Sequence, residues 1–506
     1  MLSVKPNSSR RLAMMAGAVL GYFVLVGAAV ADTIRIGLQN LPTGLGTPFG
    51  SFNIPTGAPL TAVFDALTGI DENGDTVPAL AERWEQESLT TWVFYLRKGV
   101  TFSNGEPFDA NAVVAVIETL LSGPASSTSL GTTLKRMTVT GAAARDPHTV
   151  AIATQKPDVL FAQYMRALRI PAPGAMAELG LDQFALTPIG TGPYAATDWG
   201  ESKIAMTAFT DSWRAPQESN LEFIQLSDGA SRRQGVISGS VDIAFALAPE
   251  DADPIEAAGG RMWVRNEPGV NFLAFVTVKE SPLQDVRVRQ ALNHAVDKKR
   301  MTDIFMDGAI GPSSQIAHNM SYGYNDDLEP YTYDVELART LLTEAGYPDG
   351  FDFPILLVPG GSANSQDWYL QIASDLSQIG VRMEIRPTRL PNYFDYIYKG
   401  GWPSLGFAMS TYTFDPIAAY RIRSCSWQHP YHCDPSIMPL IEKALVALTP
   451  EARKQRTRDV LAHEYANPPG IFLWQNVSFE GLGPRVKTYW SGADTVRVEE
   501  IDLTDP

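Results

Sequence analysis

The stretch CSWQHPYHC gathers the densest set of chemistry-bearing side chains in the sequence: Cys425, His429, His432 and Cys433. Imidazole and thiolate are metal ligands, but a protein-only metal site needs three or four of them in defined geometry. Cys425 and Cys433 are the chain's two cysteines. In an oxidising compartment so close a pair more often forms a disulfide than a metal site, and oxidised sulfurs cannot ligate. The loop closed would be short, contributing about 2–3 kcal/mol; two reduced, buried thiols are the other reading. Arg169, in FAQYMRALRI, carries the planar fork that suits a carboxylate, or else is a solvated helix residue. His294 falls within a helical stripe and reads as structural. Catalytic motifs are missing: there is no G-x-S-x-G, no C-x-x-C and no Walker A loop. His463-Glu464 lacks the second histidine of H-E-x-x-H, and no spacing singles out a carboxylate pair. A secreted hydrolase is the alternative of another class.

These groups need elements to hold them. At 506 residues the chain exceeds one comfortable core, so two or more domains are expected. An apolar fraction of 45% with 19% charged residues excludes a disordered chain. Forty basic against 56 acidic residues, net −16, argue against nucleic acid or anionic membranes as main partners. Lys5, Arg10 and Arg11 precede an apolar run over 12–30, and Ala29-Val30-Ala31 is a small-x-small cleavage pattern. Residues 1–31 are therefore expected to be a signal peptide removed after Ala31, the alternative being an uncleaved anchor. No cysteine follows the run, so no lipid anchor is expected.

Ile34, Ile36 and Leu38 alternate with polar partners and predict a strand over 33–38. Glycines 44, 46 and 50 lack dinucleotide-loop spacing, so 41–59 reads as a long irregular loop over a cleft. A helical pattern from Leu60 carries Val63, Phe64 and Leu67. Trp92, Phe94 and Leu96 alternate with Val93 and Tyr95 as a strand, and Asn104-Gly105 favours a type I′ turn. Pro107 ends that pairing, and Asp109 can cap a helix from Ala110. Asp285 and Asp334 are caps of the same kind; Gly346 and Pro348 stop the second of those helices. Residues 272–278 are a buried-strand candidate. Alternating strands and helices argue for α/β lobes with mixed sheets.

FDALTGIDENGDTVPALAERW (64–84) and WVFYLRKGVTFSNGEPFDA (92–110) resemble the N-terminal signature of the family 5 extracellular solute-binding proteins. These are the dipeptide-, oligopeptide- and nickel-binding receptors of bacterial ABC importers. Later stretches agree in order: PIGTGPY (188–194) with Trp199, VRVRQALNHAVDKKR (286–300), YDVELARTLLTEAGYPDGF (333–351), and Gly380-Val381 followed by Asp415-Pro416. The resemblance implies a two-lobed α/β periplasmic-binding-protein fold with mixed sheets, a hinge of two crossover strands and an extra subdomain. Lobe I would be 32–275 plus 484–506, with the subdomain inserted at roughly 80–185, and lobe II 276–483. It implies a monomeric periplasmic receptor, without enzymatic activity or cofactor. Such a receptor captures a peptide or peptide-like solute and delivers it to an inner-membrane permease and its ATPase subunits. A nickel or other metal chelate is the alternative cargo.

The resemblance also implies site residues. Where peptide receptors hold an Asp for the amino terminus, this chain has Tyr412; their carboxylate-binding Arg aligns near Gln366 and Asp367. Both anchors of a zwitterionic dipeptide are thus absent. Arg169 falls where nickel receptors bind a chelator's carboxylate, and Phe52 and Phe414 fall where they carry pocket tyrosines. His429 lies within one residue of their metal-ligating histidine, while their pocket tryptophans align near Thr132 and at Ser410. The implied ligand-binding set is Phe52, Arg169, Tyr412, Phe414, Asp415 and His429. His429 would touch a metal only if a chelate is the cargo. Phe52 is otherwise a loop anchor, and Tyr412 and Phe414 strand packing.

Overall fold

Ile34, Ile36 and Leu38 are fully buried along β1 (Thr33–Leu38), the strand that their alternation predicts. The computed structural model describes residues 33–504 except 51–53, 360–364, 412 and 421–423. The expected signal peptide, Phe52 and Tyr412 lie outside the described residues. A ribbon of β2 (Thr68–Ile70) and β3 (Thr76–Pro78) follows. Next come β4 (Ala81–Ser88), β5 (Thr91–Leu96), β6 (Val139–Asp146) and β7 (Thr149–Thr154), a separate antiparallel sheet in the order β4-β5-β7-β6. The main sheet continues with β8 (Tyr194–Trp199), β9 (Lys203–Ala208), β10 (Asn220–Gln225), β11 (Ile243–Leu247) and the long β12 (Arg261–Phe275). It is completed by β13 (Asp352–Leu357), β14 (Arg382–Pro387), β15 (Gly406–Ser410) and the long β16 (Gly470–Leu482). Near the C-terminus β17 (Val486–Thr488) pairs with β18 (Asp502–Leu503).

The main sheet runs β14-β13-β15-β12-β16-β11-β1-β10-β9-β8. It is mixed: β1 is parallel to β10 and β11, β13 is parallel to β14 and β15, and the remaining pairs are antiparallel. The two long strands join its ends. β12 and β16 pair from Arg261 with Leu482 to Ala274 with Gly470. At one end β16 takes β11 as its other neighbour, and at the opposite end β12 takes β15. Between Asn266 and Val270 the register shifts, so residues 267–269 bulge out of the ladder.

Local chemistry sets the elements as the sequence implies. Asp109 Oδ1 accepts from the Asn111 and Ala112 N–H groups and starts the helix Ala110–Leu121, whose Val113, Val116, Ile117 and Leu120 are buried. Asp285 and Asp334 cap the helices Val286–His294 and Val335–Glu344 in the same way. Asn104-Gly105 turns the chain, with Phe102 N–H donating to Glu106 O and Gly105 N–H to Phe102 O, each at 2.8 Å. It is not the expected type I′ turn, which needs positive φ at both central residues: Gly105 is at +87° and Asn104 is not in that region. Two element boundaries are corrected. The helix from Leu60 spans only Ala58–Val63, and Phe64 is already extended. The Val63 carbonyl is bonded by Gly192 N–H at 2.9 Å, which pulls the chain off the helical path before Leu67. The strand expected over 272–278 is also displaced: β12 starts at Arg261 and ends at Phe275.

Candidate ligand-binding site

The bulge in β12 sits beside a cavity of about 710 Å³ that is lined from both ends of the main sheet. From one end come Leu247, the last residue of β11, Ala248 after it, and the first residues of the helix Gly229–Ser238. From the other come Ser410, the last residue of β15, and Trp368 of the helix Ser365–Ser377. The floor is Glu267 and Asn271 of β12 with Trp474, Asn476 and Phe479 of β16. Trp368 and Trp474 meet edge to face, centroids 4.9 Å apart, and form an apolar wall. The volume falls within the roughly 300–1,000 Å³ usual for small-molecule sites.

Electrostatically the cavity wall is ordered by buried ion pairs. Arg265, fully buried, donates from Nε to Glu480 at 2.6 Å and from Nη2 to Glu267 at 2.9 Å. Glu480 also accepts from Tyr489 and Ser491, each at 2.6 Å. Burial and the Glu480 charge hold the Tyr489 phenol well above its usual range, so it stays a donor. Arg232 lines the cavity too, but its Nε, Nη1 and Nη2 all donate to backbone carbonyls. Asp251, another lining residue, is paired with Arg233 at 2.8 Å.

Three of the residues implied by the sequence converge elsewhere, around the segment 161–169. Arg169 is buried, and its Nη1 lies 3.5 Å from Pro48 O. It lines a separate cavity of about 210 Å³ with Asp65, Arg166, Arg214 and Asp494. Burial lowers its pKa to about 10; Asp494 opposes that shift and Arg166 adds to it. Arg166 pairs with Asp494 at 2.7 Å and stacks 4.2 Å over the Phe414 ring. Asp415 caps the helix Pro416–Ala419 by accepting from Ile417 N–H, and its oxygens also accept from Arg453 at 2.8 and 3.1 Å and Tyr164 Oη at 2.7 Å. Asp415 is therefore fully engaged by protein groups.

His429 lies apart from both cavities, packed near Gly400. The Sγ atoms of Cys425 and Cys433 are 2.04 Å apart, a disulfide. His432 Nδ1 sits 2.9 Å from Thr277 Oγ1. Among the described residues no group of three or more His, Cys, Asp or Glu side chains is placed to hold a metal. Sequence reasoning missed Glu267, Asn271, Trp368 and Asn476. A signal existed for two of them: Asn271 and Asn476 interrupt the apolar strands VNFLAF and FLWQNV, where polar side chains need a reason.

A sequence profile described as bacterial extracellular solute-binding proteins, family 5, middle region, matches residues 75–428. The chain belongs to that family. Family 5 proteins are solute-binding proteins and not enzymes. The glutathione-binding protein GsiB of Escherichia coli (strain K12) is 25% identical over 346 residues, 67% of this chain and 66% of that protein. The chain thus spans just under two thirds of the length of the curated relatives it matches. Among solved structures, the periplasmic binding protein DppA of Helicobacter pylori in complex with the peptide STSA superposes with a TM-score of 0.75 at 19% identity. That match covers 93% of this chain and 98% of DppA. NikZ of Campylobacter jejuni in complex with Ni(L-His) gives 0.77 at 21%, covering 93% and 99%. The fold is that of the family 5 binding proteins. No helix among the described residues is long and apolar enough to cross a membrane.

Proposed function

We propose that this chain is the periplasmic solute receptor of an ABC importer and that it captures a peptide or peptide-like solute in the 710 Å³ cavity. The observation that carries this reading is that both ends of the main sheet line one cavity astride the two long strands. Residues 32–275 with 484–506 then act as one lobe, carrying the subdomain at roughly 80–185, and 276–483 as the other. β12 and β16 are the hinge, and closing the lobes encloses the solute, the hinge motion general to periplasmic binding proteins. Enclosure excludes water and strengthens each polar contact made inside. Phe52 and Tyr412 are kept as ligand-binding residues in this reading on the resemblance alone. The closed form would be read by the membrane permease and its ATPase subunits. The GsiB and DppA likenesses support a peptide-like cargo.

A metal chelate is the second reading, favoured by Arg169, a buried cation that lines the smaller cavity with Asp494 and Arg166. There Arg169 would hold a chelator's carboxylate, with Phe414 packed nearby and His429 reaching the metal only after rearrangement. Native mass spectrometry with metal analysis, on protein purified from the periplasm of its own host, separates the two. A retained peptide mass supports the first. Stoichiometric metal with a small polycarboxylate replaces it with the second. Time-dependent loss of substrate mass would overturn both.

A further inference from the structure

We propose that Glu267 and Asn476 form a subsite for a cationic amine on the captured solute, making a free amino group a condition of tight binding. The inference rests on the cavity being the capture site.

Glu267 stands on the bulge where β12 leaves register with β16, and that bulge is held rigidly. Thr413 N–H donates to Pro268 O at 2.5 Å, Thr411 N–H to Val270 O at 3.0 Å, and Val270 N–H to Thr411 Oγ1 at 3.0 Å. Gly269 lies so close that a Cβ there would be 1.8 Å from Thr411 O. The carboxylate is therefore presented at a fixed point of the cavity wall. Its charge is only partly cancelled. Arg265 is one guanidinium shared between two carboxylates, Glu480 and Glu267, and Glu480 has two further donors of its own. The pair leaves one surplus negative charge. Glu480 is fully buried, whereas the Glu267 side chain is 21% exposed, so the surplus faces the cavity.

Asn476 supplies the second acceptor. It is only 8% exposed, and its amide nitrogen donates to Ser410 Oγ at 2.7 Å and Thr411 O at 3.3 Å. The Thr411 carbonyl can only accept, which fixes the amide's orientation. Oδ1 is then the buried end without a hydrogen-bond partner among the described residues. A buried acceptor without a donor is a standing deficit that a ligand N–H would cancel. Among the described residues lining the cavity the one basic side chain is Arg232, and its guanidinium is committed to carbonyls. Acceptors with a surplus negative charge recognise an ammonium group, which brings positive charge and three donors. The Trp368–Trp474 wall is left for the apolar part of the solute.

The test uses two probes on the full mature protein: a library of short unblocked peptides without lysine or arginine, and the same library N-acetylated. Complexes are counted by native mass spectrometry for the wild type, Glu267→Gln and Glu267→Asp, with a thermal melt for each. The wild type is expected to retain unblocked peptides at least about tenfold over acetylated ones, or about 1.4 kcal/mol. Glu267→Gln should erase that preference, and Glu267→Asp should keep most of it. Equal retention of both libraries by the wild type, or an undiminished preference in a folded Glu267→Gln, overturns the subsite while leaving the capture reading intact. Should Glu267→Gln fail to fold, the wild-type comparison and Glu267→Asp still decide. Retention of neither library overturns the peptide reading, and the amine subsite falls with it.

Discussion

Lys298 carries a charge that the fold does not accommodate. It opens the helix Lys298–Phe305, is 2% exposed, and its Nζ has no hydrogen-bond partner among the described residues. The Tyr331 ring, 5.3 Å away, offers only a weak cation–π contact. Burial lowers its pKa from 10.5 to about 7. The sign follows directly. Between about pH 7 and 10.5 the unfolded chain binds this proton and the folded chain does not, so stability rises with pH across that window. At or below pH 7 the penalty is at its largest, about 5 kcal/mol as an upper bound. Lys298→Met keeps the apolar stem and removes the charge, so it should stabilise the protein at pH 7 by a few kcal/mol. Urea denaturation from pH 7 to 10.5 checks this: the advantage should shrink steadily as pH rises. A variant less stable than wild type at pH 7 would show that Lys298 has a role its burial does not reveal.

At the scale of elements, PIGTGPY acts through two glycines rather than through any polar side chain. A Cβ on Gly190 would lie 2.0 Å from Val63 O, and one on Gly192 2.4 Å from Ala62 O. Only glycine lets this loop bond the end of the helix Ala58–Val63. Asp65, just beyond, then gathers Thr191, Trp213 and Arg214 at 2.7–2.8 Å. Gly190→Ala should cost about 3 kcal/mol or more, as backbone is the atom in the way. Gly141→Ala is the control, since a Cβ there meets nothing within 4 Å. Equal melting temperatures for the two variants would refute the close-approach account. Such local devices were legible in sequence: Asp109, Asp285 and Asp334 announce their helices because a cap acts within three residues. The pairing of β12 with β16 was not, because Arg261 meets Leu482 across 482 − 261 = 221 positions of chain. The site divided along the same line. Arg169 stood out by residue type and resemblance, yet its burial against Pro48 depends on distant loops. Glu267 drew no attention because the bulge that presents it exists only once residues 261–275 and 470–482 pair.

Apart from the paired strands of the proposed hinge, the two proposed lobes also meet around the segment 161–169. Tyr164 Oη donates to Asp415, Arg166 covers the Phe414 ring, and Ile70, Met320, Phe414 and Ala493 pack as one small apolar cluster. Tyr164, Arg166, Ile70 and Ala493 belong to the first lobe, Met320, Phe414 and Asp415 to the second. Burial and the Asp415 charge keep Tyr164 protonated, so it remains the donor at any physiological pH. A hydrogen bond to a charged acceptor contributes about 1.5–3 kcal/mol. If opening breaks it, Tyr164→Phe shifts the closed-to-open ratio by about tenfold or more. Small-angle scattering of the unliganded protein should then give a larger radius of gyration for the variant; superimposable profiles would mean that closure does not depend on this bond. Asp158 adds a pH dependence to the same junction. Burial foremost, with the Asp415 charge adding to it, raises its pKa from 3.8 to about 6, against the Leu160 N–H that it accepts. The folded state therefore holds this proton more tightly than the unfolded chain. Its contribution is complete below about pH 4 and is lost as pH rises through about 6, some 3 kcal/mol at most. Asp158→Asn is neutral at every pH, so wild type should gain stability relative to it on lowering the pH from 7 to 5. Parallel pH profiles for the two proteins would remove Asp158 from the junction's energetics.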